Sequence, residues 1–170
     1  MAAKTVVVEP YHETWIQDFA RIQAVIQDAL SDLALRIEHV GSTSVPGLSA
    51  KPIIDLDVVI RDDSLLDAVI SGLGQIGYSH EGNLGIPGRE AFRYDGRTHL
   101  PKHHLYVCPQ DSPELKRHTA FRDYLRAHPE AAAEYSRIKE EGAVLYPQDI
   151  EKYIEYKAPF IRRIYGILGL

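Results

Sequence analysis

Cysteine is nearly absent from this chain: Cys108 stands alone among 170 residues, so no internal disulfide forms and the composition suits a reducing compartment. Also missing is any apolar run near the ~18 residues that mark a membrane span. The opening stretch, MAAKTVVVEP, lacks the long apolar core of a secretion signal. Basic residues are in deficit, 19 Lys and Arg against 24 Asp and Glu, and a net charge of −5 gives no general attraction to nucleic acid. An anionic ligand must therefore be held by a local cluster of basic groups. No internal repeat, low-complexity tract or linker breaks the chain. These absences point to a soluble cytoplasmic protein with one domain over 1–170 and neither a membrane nor a nucleic-acid partner. A chain of this length buries about two thirds of its unfolded surface and needs no disulfide or metal to fold.

What is present reads as an α/β (α+β) domain: a mixed-sheet core over 1–110 and a helical part over 111–170 packed on it. From Glu13 to Leu35 the residues Ile16, Phe19, Ile22, Val25, Ile26, Ala29, Leu30 and Leu33 recur at steps of three and four, the buried face of a helix. "LRIEHV" predicts a short strand ending at Gly41, and "IIDLDVVI" a strand rich in β-branched residues. "SLLDAVISGLGQ" predicts a helix capped by Ser64 or an earlier aspartate; "IGYSHE", "EAFRYD" and "HHLYVC" predict further strands. After Pro109 three helical stretches follow. Ser112 and Pro113 start the first, and Pro159 is expected to begin a new turn or kink the last.

The stretch "EHVGSTSVPGLSAKPIIDLDVVI", 38–60, carries the candidate chemistry. Alternation along a strand puts Ile53, Asp55, Asp57 and Val59 on one face and Ile54, Leu56, Val58 and Ile60 on the other. The second face is wholly aliphatic and must meet the core. The first sets two carboxylates about 7 Å apart, a spacing that can grip Mg²⁺ with waters and phosphate oxygens completing the shell. The plainer alternative is an exposed strand face on which aspartates are tolerated. Before the strand, Gly41 permits a close backbone approach, Ser42, Thr43 and Ser44 offer hydroxyls, and Lys51 adds a positive charge, so this turn can hold phosphate. It can equally be an ordinary hydroxyl-capped turn. Together, loop and carboxylates complement each other: one holds phosphate and the other the metal that neutralises it.

A strand ending in Gly-Ser followed by a strand with Asp-x-Asp resembles the signature of the DNA polymerase beta-like nucleotidyltransferases. More closely, the chain resembles the GrpB family, whose members also occur fused to dephospho-CoA kinase. The resemblance runs nearly end to end, through "VEPYHETWIQDF", the 38–60 stretch, "PGREAFRY", "HHLYVC", "FRDYLRAHPEAAAEYSRIK" and "YIEYKAPFI". It implies a nucleotidyltransferase-like mixed β-sheet with flanking helices and helices closing a cleft. It also implies phosphate contact by Ser42 and metal ligation by Asp55 and Asp57. The superfamily's third carboxylate has no obvious equivalent. His104 is the candidate for that position, with Asp95 as the alternative. A histidine there moves the metal preference from Mg²⁺ toward Mn²⁺ or Zn²⁺, or serves as a general base.

Other residues admit two readings each. Arg89 and Arg93 share a strand face and either clamp phosphate or pair with surface acids. Lys139 and Lys157 either cap the cleft or lie on solvated helix faces. Tyr11 and Trp15 read as packing the first helix on the core. His99, His103 and His104 invite a zinc site, but His103 and His104 point to opposite strand faces. Cys108 reads as a small buried residue.

Three functions follow. One is a metal-dependent nucleotidyltransferase moving a nucleoside monophosphate from an NTP to a hydroxyl or phosphate. The second is a non-catalytic module of the same fold that binds a nucleotide or other phosphorylated small molecule, or serves as protein partner to an enzyme of coenzyme A metabolism. The third is a phosphatase with Asp55 as nucleophile.

Overall fold

The computed structural model describes residues 5–170; residues 1–4, part of the stretch read for a leader, lie outside it. Five strands, β1 (Arg36–Val40), β2 (Ile54–Ile60), β3 (Tyr78–Gly82), β4 (Glu90–Tyr94) and β5 (His103–Pro109), form one mixed sheet in the order β1–β2–β5–β4–β3. Only β2 and β5 pair in parallel; the other three pairings are antiparallel. Helix α1 (Thr14–Leu30) precedes β1, α2 (Leu66–Gln75) lies between β2 and β3, and α3 (Pro113–Ala127), α4 (Pro129–Leu145) and α5 (Ile150–Leu168) make the helical C-terminal third.

The aliphatic face of β2 meets the core as its alternation requires. Ile54, Leu56, Val58 and Ile60 are buried with Ile22, Ile26 and Leu30 of α1 and Val69 and Leu73 of α2. Each such side chain contributes about 1.5–3 kcal/mol when withdrawn from water. The opposite face, with Asp55, Asp57 and Val59, lies beneath α3. There Val59 packs with Cys108 and Leu115, so Cys108 is the small buried residue expected. A second cluster joins the turn after β1 to the C-terminal helices: Val45 and Leu48 meet Leu125, Tyr135, Phe160 and Ile164. This cluster anchors the helical third over one end of the sheet. The site forms there.

The first helix is shorter than its apolar pattern predicts. It stops at Leu30, where Ser31 takes a positive φ of 48°, and a single 3₁₀ turn over Ser31–Leu33 leads into β1. Ile16 is 57% exposed because Trp15, about 100° around the helix, occupies the buried position and packs edge-on against Tyr11. Asp62, the earlier aspartate, accepts the Ser64 N–H ahead of α2, and Ser112 accepts the Leu115 N–H at the start of α3. Pro159 neither ends α5 nor starts a new turn: the helix runs through it. Both Pro159 and Glu155, whose carbonyl loses its helical donor, are exposed, so the break in the ladder falls on the solvent side of the helix.

Candidate functional site

The turn that leaves β1 is shaped by Gly41. Its φ of 71° is the left-handed region, and a Cβ there would lie 2.9 Å from the Cβ of Asp55, which Val40 faces across the β1–β2 ladder. Only glycine lets backbone and carboxylate approach this closely. One 3₁₀ turn, Ser42–Ser44, follows. The buried Ser44 hydroxyl donates to the Gly41 carbonyl at 2.5 Å and is spent on closing the turn. The Thr43 hydroxyl lies 2.9 Å from His39 Nε2, and burial with the nearby Arg126 charge holds His39 neutral, its pKa pushed down to about 4. Of the three hydroxyl residues, Ser42 and Thr43 line the cavity.

That cavity, of about 180 Å³, is bounded by Ser42, Lys51, Asp55, His104, Lys139 and Lys157 among others. Asp55 is half-buried at its edge, with Oδ1 3.0 Å from Nδ1 of His104, its register neighbour on β5. Asp57 is fully buried, which removes the alternative of aspartates tolerated on an exposed face. Its Oδ2 lies 2.7 Å from His118 Nδ1 of α3, and its Oδ1 has no hydrogen-bond partner. Burial pushes the Asp57 carboxyl up, against the His118 bond that holds it down. Burial opposes charge on His118 too, but the bond to Asp57 and the carboxylates of Asp57 and Glu114 outweigh it and raise its pKa.

Three lysines converge on the cavity from three elements. Lys51 precedes β2, Lys139 sits on α4 and Lys157 on α5. Among the described residues none of them forms an ion pair. Burial drives Lys139 well below its ordinary value, helped by the charges of Lys157 and Lys51. Burial and Lys51 push Lys157 down to about 8, and burial lowers Lys51. Asp55 is the opposing charge felt by all three. Local packing forces this arrangement. A Cβ at Gly142 would lie 2.9 Å from the Tyr156 ring and 3.2 Å from that of Tyr153, so glycine permits the close α4–α5 crossing that buries Lys139. Ser49 ties α4 to the approach of Lys51: its N–H donates to Ser136 Oγ at 3.0 Å, and its hydroxyl to Glu140 at 2.7 Å. Tyr153 lies beneath Lys51 and Lys157, whose ammonium groups stand 5.9 and 5.1 Å from its ring centre; its buried hydroxyl has no partner.

Other candidates fall outside the cavity. Arg89 stacks on Tyr106, 4.2 Å from the ring centre, beside Asp57 but on the far side of β5. Arg93 is exposed further out on β4, opposite Ser79. Asp95 is not brought to the site: past the end of β4, it accepts the Arg97 N–H at 2.8 Å and pairs with that guanidinium. His103 is buried on the other face, bonded to Tyr78 and the Pro101 carbonyl, and His99 is exposed, so the histidines do not gather. The phosphatase alternative wants a parallel sheet around its motif strand, whereas β2 has one antiparallel neighbour. His118 and Tyr153 escaped the reading of the sequence. Tyr153 carried one signal: it lies one helical step before Lys157, on the same face.

The donor set suits Mg²⁺, which takes oxygens from one or two carboxylates and leaves the rest of its shell to water and substrate phosphates. Asp55 at the cavity edge would supply one such oxygen, and the unpartnered Oδ1 of Asp57, buried behind that edge and not itself lining the cavity, would supply another. Among the described residues no group of three or more His, Cys, Asp or Glu side chains is arranged to hold an ion by itself.

The mixed five-stranded sheet with its flanking helices is nucleotidyltransferase-like in fold. Over 76% of its length the chain superimposes on Cid1 poly(U) polymerase with MgGTP bound (43% of that chain) with a TM-score of 0.55 at 10% identity. Over 77% it superimposes on the GLD-2/RNP-8 complex (54% of that chain) with a TM-score of 0.57 at 15% identity, and at such identities the likeness is one of fold. The chain itself belongs to the GrpB family, whose model, described as GrpB protein, matches residues 5–166. The crystal structure of the conserved protein GrpB from Enterococcus faecalis aligns with a TM-score of 0.83 at 34% identity, covering 94% of this chain and 95% of that one. The Glutamate-rich protein GrpB of Alkalihalophilus pseudofirmus is 31% identical over 94% of this chain and 93% of its own length. The UPF0157 protein YqkA of Bacillus subtilis is 35% identical over 89% of this chain, which spans 44% of that protein. A dephospho-CoA kinase of Mycolicibacterium paratuberculosis is 26% identical over 92% of this chain, again 44% of the longer protein. No helix among the described residues is long and apolar enough to cross a membrane.

Proposed function

We propose that the cavity binds the polyphosphate of an NTP, and that the protein is a nucleotidyltransferase passing the nucleoside monophosphate to a small acceptor. One observation carries this reading: three lysines that form no ion pair among the described residues, two of them with their charge strongly disfavoured by burial and mutual repulsion, face one cavity beside Asp55. A polyanion is what relieves that arrangement. Ser42 and the turn behind Gly41 orient the phosphates, Lys139 and Lys157 take the departing pyrophosphate's charge, and Asp55 with Asp57 would hold Mg²⁺. Bound there, Mg²⁺ would polarise the phosphoryl group under attack and neutralise charge on the leaving group. Cid1, a neighbour of the same fold, has been solved with MgGTP bound, in keeping with this role. NTP and Mg²⁺ are cytoplasmic ligands, which suits the compartment expected from the composition. Calorimetric titration with a nonhydrolysable NTP and Mg²⁺ tests the reading: binding is expected in the wild type and lost in Asp55→Ala and Asp57→Ala. Unchanged binding in both variants would sink it.

A second reading, a nucleotide-binding module without turnover, is favoured by one feature: β5 offers His104, not a carboxylate, next to Asp55. The family's occurrence within proteins named dephospho-CoA kinase supports a partner role in coenzyme A metabolism for such a module. Pyrophosphate release on incubation with NTP and acceptors separates the two readings, since the module releases none.

A further inference from the structure

A second cavity of about 500 Å³ opens against the same strand ends, bounded by Val6, Lys51, Ile53, Lys102, His104 and Ile150. It shares Lys51, Ile53 and His104 with the lysine-lined cavity, so the two are lobes of one cleft. Asp55, 3.0 Å from His104, stands at their boundary. The chemistry of the second lobe is distinct. Val6, Ile53 and Ile150 make an apolar wall, fixed at Val6 by its N–H bond to the Pro147 carbonyl at 2.8 Å. Ile150, the first residue of α5, is 41% exposed at the mouth. Lys102 is held at the start of β5 by the Ile54 N–H bond to its carbonyl, 3.0 Å long, and its charge helps depress that of Lys51.

Among the described residues the carboxylate nearest this lobe is Asp55 at its boundary, where His104 lies against it, so away from that edge an anion meets Lys51 and Lys102. Apart from the His104 imidazole, no aromatic ring among the described residues lines the lobe to offer a platform on which a nucleobase would stack. Its volume is that of a small-molecule site, and a net charge of −5 gives no basic track for a polymer of phosphates.

We infer that the second lobe is the acceptor subsite and that it takes a small phosphomonoester. Its phosphate lies between Lys51 and Lys102, and its apolar body lies along Val6, Ile53 and Ile150. This rests on the first lobe holding the NTP. Because Lys51 belongs to both lobes, the acceptor phosphate sits at the boundary, next to the phosphorus under attack. A lone pair on an acceptor phosphate oxygen forms the new bond to the α-phosphorus. The bond from that phosphorus to its bridging oxygen breaks, and its electron pair leaves with pyrophosphate. The product is a phosphoanhydride, and the dianionic acceptor has no proton to lose.

Calorimetry of the whole chain with n-butyl phosphate, at saturating inorganic tripolyphosphate, tests the assignment. Butyl phosphate is expected to bind while tripolyphosphate stays bound, and more tightly than inorganic phosphate. Lys102→Ala and Ile150→Glu are each expected to weaken butyl phosphate about tenfold and to leave tripolyphosphate affinity unchanged. No butyl phosphate binding, displacement of tripolyphosphate by butyl phosphate, or wild-type affinity in both variants would overturn the inference. Failure of tripolyphosphate itself to bind the wild type is a separate result. It overturns the first-lobe reading and with it the acceptor role, whereas butyl phosphate binding that depends on Lys102 would then mark the second lobe as a phosphomonoester site alone.

Discussion

Lys157→Met should make the empty protein more stable. The Lys157 ammonium is pushed from 10.5 to about 8 by burial and by Lys51. At about 1.4 kcal/mol for each tenfold change in protonation, that is a ceiling of about 3 kcal/mol against the folded state at neutral pH. Lys157 keeps some contact with water, and screening there reduces the expected gain to about 1–2 kcal/mol. Methionine keeps most of the stem's packing and removes the charge. The sign with pH is fixed by linkage. The folded-state pKa is depressed, so the penalty is complete below about pH 8 and disappears as pH rises to 10.5, over which the unfolded chain binds more protons than the folded one. Urea unfolding at low salt, run from pH 7 to 10 on wild type and variant, should show the variant ahead at pH 7 and the difference closing toward pH 10. With tripolyphosphate at about a hundred times its dissociation constant, the wild type should gain about 2.7 kcal/mol and the variant far less. A variant less stable than the wild type at pH 7, a gap that ignores pH, or equal stabilisation of both by tripolyphosphate would refute the reasoning.

Gly41→Ala combines a residue strained at positive φ with overlap on Asp55, and should cost at least about 1–2 kcal/mol in urea unfolding. His118→Ala leaves Asp57 buried without its partner and should cost about 3–5 kcal/mol at pH 7. Urea unfolding at pH 7 that shows a cost below about 1 kcal/mol, the range of an exposed pair, would contradict the buried pairing. Leu56→Ala should cost about 2–5 kcal/mol, as at other core sites, yet leave tripolyphosphate affinity of the folded protein unchanged.

Much of this arrangement was written locally in the sequence. The alternation in "IIDLDVVI" separated the aliphatic face that meets α1 and α2 from the face of Asp55 and Asp57, because strand period and burial agree there. The Gly41 turn was readable for the same reason, although the backbone takes the hydroxyl of Ser44. What could not be read is tertiary. A lone lysine on a helix ordinarily reads as solvated, and Lys139 is buried only because Gly142 lets α5 come close. His118 meets Asp57 across 61 residues of sequence with no periodicity connecting them. Pro159 stays in its helix because that face is exposed to water.

Crystallisation with a nonhydrolysable NTP and Mg²⁺ addresses the lysine cavity most directly. The β- and γ-phosphates should lie within hydrogen-bond distance of Lys139 and Lys157, with the α-phosphate beside Asp55. Phosphates bound elsewhere, for example against Arg36, Lys116 and Arg117 near the start of α3, with the three lysines left unliganded, would contradict it.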